Sequence, residues 1–205
     1  MFSMLAASFG DRLHADLLVG WNFNDIDASS RSLLSDVGSG RLDFERVAGE
    51  HDVFAGTSIN AFGDLAAGSA LGFRGPAAET GSIVLDWGTT PGIGGAAGDL
   101  RCSFAARRSP TGSDRIEAEI WSDGDWKSLA SMSIATTWST SVFDLDEHDV
   151  TSTGLRLRFT LAGASNPQGT IRLDNLRIDA VPVPSPATLA AMIPAVPGVR
   201  SRRRR

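Results

Sequence analysis

The sequence has few of the residues that disulfide frameworks and common catalytic sites require. Its one cysteine, Cys102, cannot form a disulfide within the chain, and the alternating apolar residues around it predict a buried thiol rather than a nucleophile. The three histidines, His14, His51 and His148, are isolated from one another. Neither the paired histidines of a helical zinc site nor a Gly-x-Ser-x-Gly elbow is present. These absences predict that the protein is not an enzyme.

Positive charge is scarce outside the C-terminus. The whole chain has a net charge of −5. Residues 1–180 carry 14 of its 19 Lys and Arg residues and all 24 Asp and Glu residues, a net charge of −10. Residues 181–205 contain five arginines and no acid. Because an acidic body repels phosphate groups, we predict no nucleic-acid partner and interpret the basic tail as a separate segment.

The body of the chain has the pattern of an all-β domain. Hydrophobic residues make up 42% of the 205 residues, and 22 glycines separate short apolar runs, which favours strands over long helices. A short helix is predicted only over residues 58–70. Strands are predicted over residues 17–23, 41–44, 82–87, 100–106, 115–121, 126–132, 141–145, 155–161 and 170–178. Nine strands at this spacing predict an antiparallel β-sandwich of jelly-roll type over residues 16–180.

Three local patterns refine this prediction. In the run 155–161 the odd-numbered residues are apolar and the even-numbered residues are polar, so one face is expected to be buried. The last run begins in the same way and then shifts phase by one residue at Asp174 and Asn175. Such a shift predicts a β-bulge or a ligand-bearing kink. The Ser-Asp-Gly-Asp sequence at 122–125 predicts a tight hairpin turn.

The two ends of the chain lie outside this pattern. Residues 1–15 are mildly apolar and favour the remnant of a secretory signal peptide, whose true start would lie upstream; a disordered lead-in is the alternative. At the other end, three prolines at alternate positions from Pro182 to Pro186 precede an uncharged apolar segment, 187–199, and then a run of arginines. This order is typical of a stop-transfer signal. The alternative is a disordered or helical basic tail without processing.

The C-terminal 25 residues resemble the sorting signal of PEP-CTERM proteins, which are exported bacterial proteins. In that class a Pro-Glu-Pro motif precedes a hydrophobic segment and an arginine cluster, and an exosortase, a membrane-embedded transpeptidase, reads the signal. The residues at the corresponding positions here are Pro182, Val183, Pro184, Arg202, Arg203, Arg204 and Arg205, with Val183 in the place of the glutamate. The resemblance implies export to the cell envelope or extracellular matrix and an exosortase as partner. The apolar segment is shorter than the ~17–25 residues of a membrane span, so it implies only a weak or transient membrane contact.

The body also resembles the jelly-roll domains of carbohydrate-binding modules, on the residues 21–25 and 172–178. Such modules often hold a structural calcium ion near the first and last strands. The resemblance implies a calcium site formed by Asn24, Asp25 and Asp174, since calcium prefers carboxylate and carbonyl oxygens. The alternative is that Asp25 caps a turn and Asp174 binds backbone groups at a bulge.

A sugar-binding surface is predicted around the 122–125 turn. Trp121 and Trp126 flank the turn, and Trp126, directly after it, is expected to be the more exposed. Indole rings stack on sugars, and the nearby Asp123 and Asp125 can bind hydroxyl groups. The alternative places these tryptophans in the core.

Together these patterns predict an exported, non-catalytic envelope or matrix protein with a structural or adhesive role. The alternative is a carbohydrate-binding module at the cell surface that binds polysaccharide. A glycan-active enzyme is a more distant third.

Overall fold

The computed structural model of the chain describes residues 16–47, 51–63, 66–76, 81–88, 98–145 and 154–182. These residues form two six-stranded sheets, which we name A and B. Sheet A has the strand order β10-β7-β12-β5-β4, with β1 also paired to β12, and sheet B has the order β2-β3-β6-β11-β8-β9. The strands are β1 (Asp16–Trp21), β2 (Ser32–Leu34), β3 (Gly40–Asp43), β4 (His51–Ala55), β5 (Ser69–Arg74), β6 (Ile83–Trp87), β7 (Gly98–Arg108), β8 (Arg115–Ser122), β9 (Asp125–Ser133), β10 (Ser139–Asp144), β11 (Leu155–Ala162) and β12 (Thr170–Pro182).

The predicted all-β sandwich is confirmed, and all nine predicted strands are present with bounds shifted by a few residues. Strands β2, β4 and β5 were not predicted. The helix predicted over residues 58–70 is wrong. The described part of that stretch consists of turns followed by the start of β5, and Asn60 and Gly63 have φ angles of 60° and 66°. A right-handed helix cannot accommodate such angles.

The core lies between the two sheets and is apolar. In β11 the odd-numbered residues are buried and the even-numbered residues are not, as the alternation predicts. Cys102 is fully buried, and its burial, with a smaller contribution from the Asp179 carboxylate, raises the pKa of its thiol. The thiol therefore stays protonated and unreactive, in agreement with the prediction. The largest fully buried side chains include Trp21, Phe44, Phe73, Leu42, Leu71, Ile83, Leu85, Ile120 and Leu157.

Strand β12 is the central strand of sheet A, and it contains the predicted bulge. Its register against β7 shifts between Asp174 and Arg177, and Asn175 has a φ angle of 50°. On its other edge β12 pairs with β5 as far as Leu173 and with β1 from Leu176 onward. The bulge therefore lies where one neighbouring strand gives way to another.

The connection after β4 covers part of the outer face of sheet A. Ser103 faces outward from β7 yet is buried, and its hydroxyl donates a hydrogen bond to Asn60 Oδ1 at 3.2 Å. Phe62 is also buried, and its ring packs on Gly20 of β1, where an added methyl group would lie 2.9 Å from the ring. Residues 56–63 therefore act as a cover, and sheet A has no fully open outer face.

The predicted signal-peptide remnant, residues 1–15, lies outside the described residues, as does the tail beyond Pro182. Strand β12 continues to Pro182, two residues beyond the predicted end of the domain. In the described part of the chain, no helix has the length and apolar character needed to cross a membrane.

Candidate functional site

The hairpin of β8 and β9 places two tryptophans on the outer face of sheet B. Asp123 and Gly124 form a two-residue turn with φ angles of 55° and 86°, as expected for the type I′ turns that favour tight hairpins. The predicted turn is therefore present. Across it, Trp121 and Trp126 are direct cross-strand partners, and their rings meet edge to face with centroids 5.3 Å apart. Successive residues of a strand point to opposite faces, and Ser122, the next residue along β8, is buried on the inner face. Trp121 and its partner Trp126 therefore point outward.

Trp121 is the more exposed of the two tryptophans. Its exposed fraction is 38%, whereas Trp126 is half-buried, the reverse of the order expected from the sequence. The reason is that Trp126 lies beneath two guanidinium groups. The Cζ atoms of Arg158 and Arg156 lie 4.4 and 5.6 Å from the centroid of its ring. Neither tryptophan belongs to the core, where Trp21 and Trp87 are found instead.

Carboxylates on neighbouring strands hold both arginines in place. Arg158 Nε donates to Glu119 Oε2 at 2.5 Å, and Arg156 Nε lies 2.9 Å from Asp86 Oδ1. Because these pairs are partly exposed, they stabilise the fold only modestly. Their more specific effect is to fix the guanidinium groups over the tryptophan, where a cation–π contact contributes about 0.5–1 kcal/mol.

We call Trp121, Trp126, Arg156, Arg158 and Glu119 the tryptophan face. It combines aromatic surface with charged hydrogen-bonding groups on one side of sheet B. The three charged members were not predicted as site residues. The polar even-numbered positions of the run 155–161 were the sequence signal that pointed to the two arginines, and Glu119 lies in a different run, 115–121.

The two aspartates predicted to accompany the tryptophans are placed differently. Asp123, at the tip of the turn, accepts a hydrogen bond from Lys127 Nζ at 2.7 Å, and this bond lowers the pKa of its carboxyl group. Asp125 pairs in register with Ser122, so it lies on the opposite side of the hairpin from the tryptophans. Its Oδ1 accepts the backbone N–H of Trp126 at 2.8 Å. The hairpin thus brings the two tryptophans together without placing both acids beside them.

The bulge in β12 holds the second set of predicted residues. Asp174 is 1% exposed, and its two carboxylate oxygens accept backbone N–H groups of Thr57 at 2.7 Å and Asn175 at 2.8 Å. Burial raises the pKa of Asp174 to about 6, although these two hydrogen bonds act to lower it. Asn175 Nδ2 donates to the carbonyls of Thr57 and Ile59 at 2.7 and 2.9 Å. The bulge therefore anchors the cover over sheet A.

Two of the three predicted calcium ligands lie near the start of β5. Asn24 Oδ1 accepts the backbone N–H of Ser69 at 2.9 Å. Asp174 is also close to Ser69, because both lie against Gly56. A methyl group added at Gly56 would lie 2.5 Å from Asp174 Oδ2 and 2.7 Å from the Ser69 carbonyl oxygen. Asp25 is exposed on the surface. Within the described ranges no group of three His, Cys, Asp or Glu side chains could hold a metal ion. A calcium site here would therefore depend on Asp174, Asn24 and backbone carbonyls, which are suitable oxygen ligands.

The two antiparallel sheets, with a first and last strand paired at the centre of one of them, define a β-sandwich of the jelly-roll class. No protein-family model matches the sequence, and no curated protein matches it either. Solved structures do share the fold. An exo-β-agarase aligns with a TM-score of 0.53 and 11% identity, over 85% of this chain and 26% of the enzyme, so this chain corresponds to about a quarter of it.

Two carbohydrate-binding modules align over most of their own length. The CBM22-1 xylan-binding domain of Paenibacillus barcinonensis Xyn10C has a TM-score of 0.45 and 13% identity, over 83% of this chain and 97% of the module. TmCBM61, solved in complex with β-1,4-galactotriose, has a TM-score of 0.46 and 15% identity, over 77% and 92%.

Proposed function

We propose that this domain is a carbohydrate-binding module that binds a polysaccharide on the tryptophan face without cleaving it. The observation that carries the proposal is the exposed indole of Trp121 beside the fixed guanidinium groups of Arg156 and Arg158. An indole ring stacks on the apolar face of a sugar, while arginine and glutamate side chains bind its hydroxyl groups. A purely structural sandwich would need no such exposed indole beside fixed guanidinium groups.

The register of sheet B suggests how a sugar chain would lie. Trp126 on β9 pairs with Trp121 on β8. Leu157 pairs with Ile120, which places Arg156 of β11 beside Trp121. Arg156 in turn pairs with Asp86 on β6. These residues form a row across four strands. At about 4.8 Å between strands the row is roughly 14 Å long. It suits several consecutive sugar units that run perpendicular to the strands, rather than one monosaccharide.

Solved structures similar to this chain include a xylan-binding domain and a module in complex with β-1,4-galactotriose, which supports a polysaccharide as the class of ligand. The tryptophan face is the site at which we expect it to bind.

The test is a panel of neutral polysaccharides screened by affinity electrophoresis and measured by titration calorimetry. Trp121→Ala should weaken binding of a retained glycan by about tenfold or more, as expected for a buried aromatic contact at the centre of an interface. Val142→Ala, which truncates an exposed apolar side chain on an edge strand of sheet A, is the matched control. If no neutral glycan binds the wild type, or if Trp121→Ala binds equally well, the proposal is wrong.

We also propose that the tail 181–205, whose first two residues also belong to β12, directs the domain to the cell envelope by way of an exosortase. The support is the order of prolines, apolar segment and arginines in the sequence. Deletion of residues 183–205 should leave the melting temperature of the domain unchanged and alter where the protein resides in the cell. Unchanged localisation would contradict the sorting role.

A further inference from the structure

Three arginines lie side by side on the outer face of sheet A. Arg74 is on β5, Arg172 on β12 and Arg107 on β7, and these are adjacent strands. Arg172 and Arg107 are direct cross-strand partners. Arg172 is also paired with Gly72, two residues before Arg74 on the same face. We call these three residues the arginine cluster.

The arginine cluster is unfavourable for the fold by itself. Like charges directly opposite each other destabilise a sheet. Arg74 pairs with Asp52, but among the described residues no carboxylate pairs with Arg107 or Arg172. Burial lowers the pKa of Arg172, and the charges of Arg107 and Arg74 lower it further. Five other arginines of the sheets do have carboxylate partners, in the pairs Arg101–Asp144, Arg115–Glu117, Arg156–Asp86, Arg158–Glu119 and Arg177–Asp179. Arg108 donates to backbone carbonyls instead.

Phe54 orders the cluster from one side. Its ring extends over Gly72, where an added methyl group would lie 2.3 Å from the ring, so only glycine leaves room for it. The Cζ atom of Arg172 lies 4.2 Å from the centroid of the Phe54 ring, and that of Arg74 lies 5.4 Å from it. The N–H groups of a guanidinium lie in its own plane, so stacking on a ring fixes the direction in which they point. That planar fork is the geometry that binds carboxylate and sulfate oxygens in pairs.

We propose that the arginine cluster is a second binding site, which takes the carboxylate or sulfate groups of an acidic polysaccharide. An oxyanion placed against Arg107 and Arg172 would relieve their repulsion and satisfy donors that no described carboxylate satisfies. The site is on the other sheet from the tryptophan face, so the two can be occupied together. The inference rests on the proposed function only in its choice of a polysaccharide as the bearer of the anion.

The experiment uses three polymers with one backbone, namely dextran, carboxymethyl-dextran and dextran sulfate, with the full chain at low ionic strength. Binding of the two charged polymers should weaken about tenfold in Arg172→Gln and in Arg107→Gln, because each loses a charge-assisted contact. Arg115→Gln is the control, since it removes the same charge from an exposed arginine on sheet B. Its affinity should stay within about twofold of the wild type, as expected for a change in net charge alone.

Equal affinity of the wild type, Arg172→Gln and Arg107→Gln for both charged dextrans would overturn the inference. It would also be overturned if duplex DNA or polyphosphate bound more tightly than either dextran with the same dependence on Arg172. Failure of neutral polysaccharides to bind would contradict the proposed function alone. Both variants should fold, because each relieves repulsion between like charges. Arg172→Lys, which keeps the charge and loses the planar fork, should lose part of the affinity and provides a second measure.

Discussion

The two outer faces of the sandwich contain the same kinds of side chain and pair them in different ways. On sheet B, Arg156 and Arg158 each have a carboxylate on an adjacent strand, and both lie over Trp126. On sheet A, Arg107 and Arg172 face each other, and part of the surface is covered by residues 56–63. The core lies between the inner faces of the two sheets, so it constrains the exposed outward positions less. A charge without a carboxylate partner at such a position is therefore a stronger indication of a function than a paired one.

The largest expected effect comes from removing the anchor of the cover on sheet A. Asp174→Ala leaves the backbone N–H groups of Thr57 and Asn175 without their acceptors, and each buried unsatisfied donor costs about 1–3 kcal/mol. We expect the free energy of unfolding to fall by about 3 kcal/mol, measured by urea denaturation. Asp25→Ala, at an exposed position, should change it by less than about 0.5 kcal/mol. Equal effects of the two variants would mean that the bulge does not hold the cover.

The calcium ion predicted from the sequence would bind at the same anchor. If Asp174, Asn24 and nearby carbonyls bind the ion, saturating calcium stabilises the folded state by about 2–3 kcal/mol at a hundred times its dissociation constant. Chelation should then lower the melting temperature by about 5–10 °C in the wild type and leave Asp174→Ala unaffected. A wild-type melting curve indifferent to chelator would exclude a stabilising site.

The pH dependence of stability should report on Asp174 in the same anchor on sheet A. The pKa of Asp174 is raised from 3.8 to about 6, so between these values the folded state holds a proton that the unfolded chain releases. The stability contributed by this group is full below about pH 4 and is lost as the pH rises through 6. In the presence of chelator, the wild type should lose at least about 1 kcal/mol over this window relative to Asp174→Asn, measured by urea denaturation at each pH. A constant difference between the two proteins would contradict the raised pKa.

The smallest expected effects test the pairing itself. Arg107→Gln removes a like-charge contact on sheet A and should stabilise the domain by about 0.2–1 kcal/mol. Glu119→Gln removes the partner of Arg158 on sheet B and should destabilise it by about 0.2–1 kcal/mol. Opposite signs in thermal melts would confirm that the two faces differ in electrostatics. The same sign for both would remove the contrast.

Local patterns in the sequence predicted the features that depend on neighbouring residues. The alternation in β11, the turn at Asp123 and Gly124, and the bulge at Asp174 are each determined within a few residues. Strands β4 and β5 were missed for physical reasons. All but the last residue of β4 is half-buried, so the strand has no alternation, and β5 contains Gly72, which allows Phe54 to lie across it.

The candidate sites could be predicted only in part. Trp121 and Trp126 are joined by one turn, so their proximity follows from the sequence. The arginines depend on cross-strand register instead. Arg107 and Arg172 are far apart in the chain, and whether either meets a carboxylate is decided by which strands adjoin. The sequence therefore predicts which side chains lie on a face, but it does not predict which of them lie beside each other on neighbouring strands.

The exchange of neighbours along β12 has a consequence for the timing of folding. The last strand pairs with β1, β5 and β7, so sheet A lacks its centre until residue 182 has been synthesised. Within the described sheets β12 is the strand with which β1 pairs, so β1 has no strand partner until residues 170–182 have been synthesised. Folding dominated by such distant pairings is slow. Sheet A can therefore close only after residue 182 has left the ribosome.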